Sequence, residues 1–139
     1  MVTASELEET LRTHLREDVL EFTLARRNRV FSKVRNGSHR QAVKLFQDMG
    51  GHLSVITSVD LGEELELVYH FELHPLQVSL KTSAPRGNPR IETISDIYPS
   101  AAWYEREAME MMGITVVNHP DPRHLFLPDD YTEYPLRRF

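Results

Sequence analysis

From Asn118 to Phe139 the chain carries Pro120, Pro122, Pro128 and Pro135, four of its eight prolines. Proline fixes φ and has no N–H to donate, so this stretch is neither a helix interior nor a central strand. Its apolar residues, Leu125, Phe126, Leu127, Tyr131, Tyr134 and Leu136, follow no helical or strand period. A long non-repetitive segment of this kind needs a surface to lie on. Residues 118–139 are therefore read as an extended arm that docks on another subunit, and residues 1–117 as the folded domain that carries it.

With 139 residues the chain is expected to form one domain with a sizeable core. No apolar run approaches the roughly 20 residues needed to span a bilayer. Met1-Val2-Thr3-Ala4-Ser5-Glu6 lacks the basic and apolar regions of a secretory leader, so none is expected. There is no cysteine, which excludes disulfides, thiolate zinc and iron–sulfur ligation in this chain. The net charge is −5 and the basic residues are scattered, so no nucleic-acid partner is expected.

Leu7, Leu11 and Leu15 recur every fourth residue and predict a helix from about Ser5 to Glu17, capped by Thr3 with Glu6 or by Ser5 with Glu8. Val19 to Ala25 and Arg29 to Val34 read as an antiparallel strand pair around the turn Arg26-Arg27-Asn28. A second helix, Arg40 to Met49, is expected between a Ser38/Gln41 cap and the stop Gly50-Gly51. Leu53 to Val59, Leu65 to Leu73 and Gln77 to Ser83 follow with short connections, as an antiparallel meander. Ala84 to Pro89 reads as a loop, and Ser100 as the N-cap of a third helix over residues 101–112 that stops at Gly113. The fold class is α+β in the order α-β2-α-β3-α, a mixed or antiparallel sheet with helices packed on it.

At about 100° per residue, Tyr104, Ala108, Ala101, Met111 and Met112 of the third helix share one arc. Glu105 falls inside that apolar arc; Trp103, Arg106, Glu107 and Glu110 fall opposite. A buried carboxylate needs a partner, and Arg123 or another arginine of the arm is the natural candidate. The alternative is that Glu105 lies at the edge of the arc and reaches solvent. Trp103 on the polar side is either covered by the arm or serves as an interface anchor.

Other chemistry is thinner. His70 and His74 are four apart in a segment that reads as strand, so they do not converge on a metal. His119 and His124, with Asp121, Asp129 and Asp130, make a carboxylate–histidine site conceivable, although the prolines spread these ligands apart. A stand-alone metal-dependent hydrolase built on His119, Asp121 and His124 is the competing reading. Glu107 and Glu110 are placed facing outward, which argues against a paired-carboxylate glycosidase. There is no GxGxxG, P-loop or nucleophile elbow.

Three segments go further: Glu105-Arg106-Glu107-Ala108-Met109-Glu110-Met111-Met112-Gly113-Ile114, His119-Pro120-Asp121-Pro122-Arg123, and Tyr134-Pro135-Leu136-Arg137-Arg138. Together they resemble the signature of the 30-kilodalton subunit family of respiratory complex I, which includes small subunits of membrane-bound nickel–iron hydrogenases. The upstream order α-β2-α-β3 is also that family's. Met112 stands where the family usually has phenylalanine, and Pro122 and His124 flank Arg123 where leucine and a second arginine are common. The chain stops at Phe139, where many quinone-reducing members continue. The run Leu125 to Tyr131, followed by Tyr134-Pro135-Leu136, is more similar to the hydrogenase-type branch.

The resemblance implies a subunit without an active site or cofactor of its own, in the peripheral arm of an ion-translocating oxidoreductase. Iron–sulfur clusters and a nickel–iron centre would belong to partner subunits: a hydrogenase-like large subunit and an iron–sulfur small subunit. The chain would lie on the cytoplasmic side, associated with the membrane only through the complex. It implies a structural role for Trp103, Glu105, Arg106, Glu107, Glu110 and Gly113, and a docking role for His119, Pro120, Asp121, Arg123, Tyr134, Pro135, Leu136, Arg137 and Arg138. The corresponding 30-kilodalton subunit of a NADH- or deazaflavin-dependent quinone oxidoreductase is the alternative within the same family.

Overall fold

The computed structural model describes residues 1–123 and 133–137. Helix α1 (Ala4–Leu15) begins where the Thr3 hydroxyl accepts the Glu6 N–H at 3.1 Å, and it buries Leu7, Leu11 and Leu15. A 3₁₀ turn (Arg16–Asp18) leads to β1 (Val19–Leu24) and β2 (Arg29–Val34), which pair antiparallel as expected. Helix α2 (His39–Asp48) follows, then β3 (His52–Asp60), β4 (Glu64–Leu73) and β5 (Leu76–Pro85) as an antiparallel meander. The sheet order is β1-β2-β5-β4-β3, with β2 and β5 parallel, Val30 opposite Val78. The sheet is therefore mixed, and the fold is the α+β class that the sequence predicted.

One face of the sheet is the core. Along β4, Leu65, Leu67, Tyr69, Phe71 and Leu73 point inward with the two-residue period of a strand, and α1 and α2 seal them with Leu7, Leu11 and Phe46. Phe46 meets Phe71 edge-on at 5.1 Å, and Phe71 meets Tyr98 at 5.5 Å. Gly51 is required behind α2, because a Cβ there would lie 2.8 Å from the Phe46 carbonyl oxygen. The opposite face is polar. Lys33 pairs with Glu66 at 3.2 Å, and His70 sits between the hydroxyls of Thr57 (3.0 Å) and Ser79 (3.2 Å).

Three expectations need correction. The Ser38 hydroxyl does not cap α2 but donates to Asp18 at 2.6 Å, pinning the start of α2 to the turn before β1. Ser100 likewise makes no side-chain cap bond to α3 (Ala101–Met112). The element order also gains two strands, β6 (Arg90–Glu92) and β7 (Thr115–Val117), which pair parallel on either side of α3 in the chain. Three residues are too short to show a period, and this pairing is held by long-range backbone bonds such as Thr93 N–H to the Val117 carbonyl at 2.9 Å.

Candidate functional site

Glu105 lies in the middle of α3 and is fully buried. Among the described residues no arm arginine bonds to it. The Thr93 hydroxyl donates to one carboxyl oxygen at 2.5 Å and the Ile94 N–H to the other at 2.9 Å. The expected Arg123 partner is instead folded onto Asp121, two residues away, with two bonds of 2.8 Å. A buried carboxyl does not require a cation if it can hold its proton. Burial pushes Glu105 up to about 7, against the pull of the Thr93 hydroxyl and the Ile94 N–H.

A polar layer surrounds this group. Arg40 of α2 grips both oxygens of Asp96 at 2.7 and 2.8 Å and also reaches the Thr93 carbonyl at 2.5 Å. That clamp lowers Asp96 to about 2. His39 is buried, stacks on Tyr69 at 5.8 Å and donates from Nε2 to the Glu92 carbonyl, while its Nδ1 accepts the Gly37 N–H. Both ring nitrogens are thus fixed in the neutral tautomer, and burial lowers the ring's pKa. The Tyr69 hydroxyl is buried with no hydrogen-bond partner among the described residues, and burial, reinforced by the charge of Glu105, raises its pKa. Thr93, Ile94, Arg40, Asp96, His39 and Tyr69 carry no motif. The one signal that points to them is the carboxylate on the apolar arc, which has to find a partner somewhere.

Glu110, expected on the solvent side, is only 3% exposed. The angular reading treats α3 as covered on one side alone. Glu110 instead lines a cavity of about 200 Å³ with Arg106, Pro122, Arg123 and Tyr134, so chain beyond β7 covers that side too. Glu107 is half-buried, and Trp103 remains 51% exposed.

The segment after β7 lies along α3. His119 donates from Nε2 to the Ala102 carbonyl at 2.8 Å and accepts the Asp121 N–H at Nδ1. Arg106 donates to the Arg123 carbonyl at 2.9 Å and to Asp121 at 3.4 Å. Arg123, with Arg106 adding to it, holds the Asp121 carboxyl well below the usual range. Pro120 is exposed. The second arm segment returns to the end of the helix. Leu136 N–H donates to the Met111 carbonyl at 3.0 Å, and Arg137 Nε to the Met112 carbonyl at 2.6 Å. The Arg137 guanidinium lies 4.6 Å over the Tyr134 ring. Gly113, at φ 73°, makes room: a Cβ there would sit 2.7 Å from Tyr134 and 2.8 Å from Arg137. Pro135, Tyr134 and Leu136 are exposed.

Arg138, His124 and the run Leu125 to Tyr131 lie outside the described residues, as do Asp129 and Asp130. Among the described residues no three His, Asp or Glu side chains are grouped to hold a metal ion. His119, one of the three ligands of the hydrolase reading, has both ring nitrogens engaged by backbone.

Likeness to known proteins places this fold and its arm in the complex-I-like class. The chain belongs to the family described as respiratory-chain NADH dehydrogenase, 30 Kd subunit, whose pattern matches residues 32–139. It is 45% identical over 92 residues to the C subunit of F(420)H(2) dehydrogenase from Methanosarcina mazei, covering 63% of this chain and 58% of that one. It is 38% identical over 120 residues to the beta subunit of the membrane-bound hydrogenase of Pyrococcus furiosus, covering 80% and 69%. The matched region thus spans little more than half of the first relative and about two thirds of the second. Among solved structures, a chain of the membrane-bound sulfane sulfur reductase, an archaeal respiratory membrane complex, superposes with TM-score 0.81 at 26% identity over 96% of this chain and 82% of that one. The trypsin-resistant fragment of Nqo5 shares the fold, with TM-score 0.70 at 21% identity over 83% and 98%. Among the described residues no helix is long and apolar enough to cross a membrane.

Proposed function

We propose that this chain is a non-catalytic scaffold subunit in the peripheral arm of a membrane-associated, ion-translocating oxidoreductase of the energy-converting nickel–iron hydrogenase type. The scaffold reading is carried by the arm. Residues 133–137 are tied to α3 largely through backbone carbonyls, which leaves Tyr134 and Leu136 turned to the surface, 41% and 56% exposed. Apolar groups presented by a pinned segment suit a protein–protein contact. The hydrogenase branch is supported by the likeness to the Pyrococcus protein over 80% of this chain. Its partners would be a hydrogenase-like large subunit and an iron–sulfur small subunit, which would hold the iron–sulfur clusters and the nickel–iron centre. The complex would hold the chain on the cytoplasmic face of the membrane. A deazaflavin-dependent branch is the second reading, favoured by the 45% identity to the Methanosarcina protein.

The test is to tag the chain in its native cells, solubilise membranes gently and identify what co-purifies. A large hydrogenase-like subunit with nickel in the complex supports the first reading, and the same assembly without nickel supports the second. A lone protein overturns both. Deleting residues 118–139 is expected to leave the domain folded, because the last strand among the described residues ends at Val117, and to abolish assembly. Normal yield of complex from the truncated chain rejects the docking role of the arm.

A further inference from the structure

The tip of the β1–β2 hairpin carries charge that no ion pair among the described residues neutralises. Arg26, Arg27 and Arg29 are all exposed, and none lies within ion-pair distance of a carboxylate among the described residues. Arg12, Arg35, Arg40, Arg86 and Arg106 pair with Glu8, Asp18, Asp96, Asp60 and Asp121, and the exposed Arg16 and Arg90, which also make no ion pair among the described residues, stand singly. In a chain of net charge −5, three unmatched arginines within four residues form a local basic site.

The site is shaped and held. The turn closes through Ala25 N–H to the Arg29 carbonyl at 2.7 Å and Arg29 N–H to the Arg26 carbonyl at 3.1 Å. The Asn28 carbonyl accepts the Gln77 N–H at 2.8 Å, which docks the turn on the start of β5. Arg26, Arg27, Asn28 and Arg29, with Pro75 and Gln77, line an open, shallow cavity of about 480 Å³. A second slot of about 210 Å³ shares Arg27, Asn28 and Pro75 with it and is walled by Leu24 and Leu76. Leu24 is 51% exposed there. A basic cavity thus adjoins an apolar slot at the end of β1, an edge strand of the sheet.

We propose that the β1–β2 hairpin tip is a second docking site, which takes an acidic segment of a partner protein. Carboxylates of the segment enter between Arg26, Arg27 and Arg29, whose planar guanidinium groups pair with carboxylates through two parallel bonds. A neighbouring apolar side chain fills the slot against Leu24 and Pro75. The concave form favours side chains of a folded or extended peptide over the flat plane of lipid headgroups. The proposal rests on the reading of the chain as a member of an assembly, and it places a contact far in sequence from the arm.

Purified full-length chain is titrated into a short fluorescein-labelled peptide of glutamate and leucine, and anisotropy is followed at several salt concentrations. Saturable, salt-sensitive binding is expected. The charge reversal Arg26→Glu/Arg27→Glu weakens it by about tenfold or more, whereas Lys44→Glu/Arg90→Glu, an equal reversal elsewhere, leaves it unchanged. Arg26→Gln/Arg27→Gln, which introduces no repulsion, gives a smaller loss in the same direction, and an unaltered denaturation midpoint shows that each variant is folded. Absence of saturable binding, equal loss in both reversals, or preference for phosphatidylglycerol vesicles over the peptide overturns the proposal. Recovery of partner subunits by the wild-type chain is scored separately: a chain that assembles but ignores the peptide sinks only the hairpin site, and one that binds the peptide but recovers no partner sinks only the assembly reading.

Discussion

Phe46 and Glu105 are both fully buried, one in the helix that seals the sheet and one in the helix that leads to the arm, yet they are held in different ways. Phe46 sits among apolar neighbours and aromatic edges. Glu105 is held by a hydroxyl from Thr93 and a backbone N–H from Ile94. The same contrast recurs across the molecule as two kinds of contact. The sheet with α1 and α2 is closed by apolar surface removed from water, which is additive and tolerant of geometry. The part after β5 enters the same core through Ile91, Ile94, Ile97, Met112, Ile114 and Val116, and adds directed polar contacts, Arg40 to Asp96, His119 to the Ala102 carbonyl and Arg137 to the Met112 carbonyl, each of which fails if either partner moves. A contact of the second kind can be rebuilt by a partner or by pH; packing of the first kind cannot without unfolding.

The largest effect should come from the apolar side. Phe46→Ala empties a site at the centre of the core and should cost about 3–5 kcal/mol. Urea denaturation of the domain checks it. A loss below about 1 kcal/mol would mean that the core collapses around the gap and that the contrast with Glu105 is false.

Next comes the buried carboxyl, and here the sign matters. The folded state raises Glu105 from 4.5 to about 7, so the folded state binds its proton more tightly than the unfolded state does. The stability this contributes is fully present below the unfolded pKa and is lost as pH rises through about 7. Over that window the loss is about 3 kcal/mol, since each pKa unit is worth about 1.4 kcal/mol. Glu105→Gln keeps a neutral hydrogen-bonding group and has no proton to lose. The difference in denaturation free energy between wild type and Glu105→Gln should therefore shift in favour of the variant between pH 4.5 and 7.5 or so. A constant difference would show that Glu105 is ionised throughout and that some cation reaches it. Glu105→Ala leaves the Ile94 N–H without its acceptor and turns the Thr93 hydroxyl to Ser95 Oγ alone, and should destabilise by about 1–3 kcal/mol at low pH.

The same contrast decides what could be read from the residues alone. The stripe Leu7, Leu11, Leu15 and the alternation Leu65, Leu67, Tyr69, Phe71 announce helix and strand because burial repeats with the backbone period. The hairpin, the meander and the Gly50-Gly51 stop were legible for that reason, as was the burial of Glu105. Its partners were not, because Thr93 and Ile94 sit in a connection with no period, and the clamping Arg40 lies on a different helix. Nor was the burial of Glu110, since an angular reading of α3 cannot know that a later segment covers its second side. The parallel pairing of β2 with β5 and of β6 with β7 depends on which strands meet after the chain has returned, which no local pattern encodes.

The smallest effect tests the junction between the two regions. Gly113 ends α3 with a left-handed φ of 73°, and its missing side chain is where Tyr134 and Arg137 lie. Gly113→Ala thus has two costs. The backbone term is about 1 kcal/mol for a Cβ in that conformation, and it applies whether or not the arm is present. The contact term exists only with the arm, because the Cβ would displace the Tyr134 ring and the guanidinium stacked on it. Measured in the full chain and in the chain ending at Val117, the substitution should cost more in the first, and the excess is the strength with which the arm holds the helix end. Trypsin offers a second readout, since cleavage after Arg137 should quicken in Gly113→Ala if its guanidinium leaves the Met112 carbonyl. Equal costs in the two chains, with unchanged cleavage, would mean that the arm rests on α3 without adding to its stability. Its contacts with Met111 and Met112 would then serve only to aim Tyr134 and Leu136 outward, toward whatever they meet.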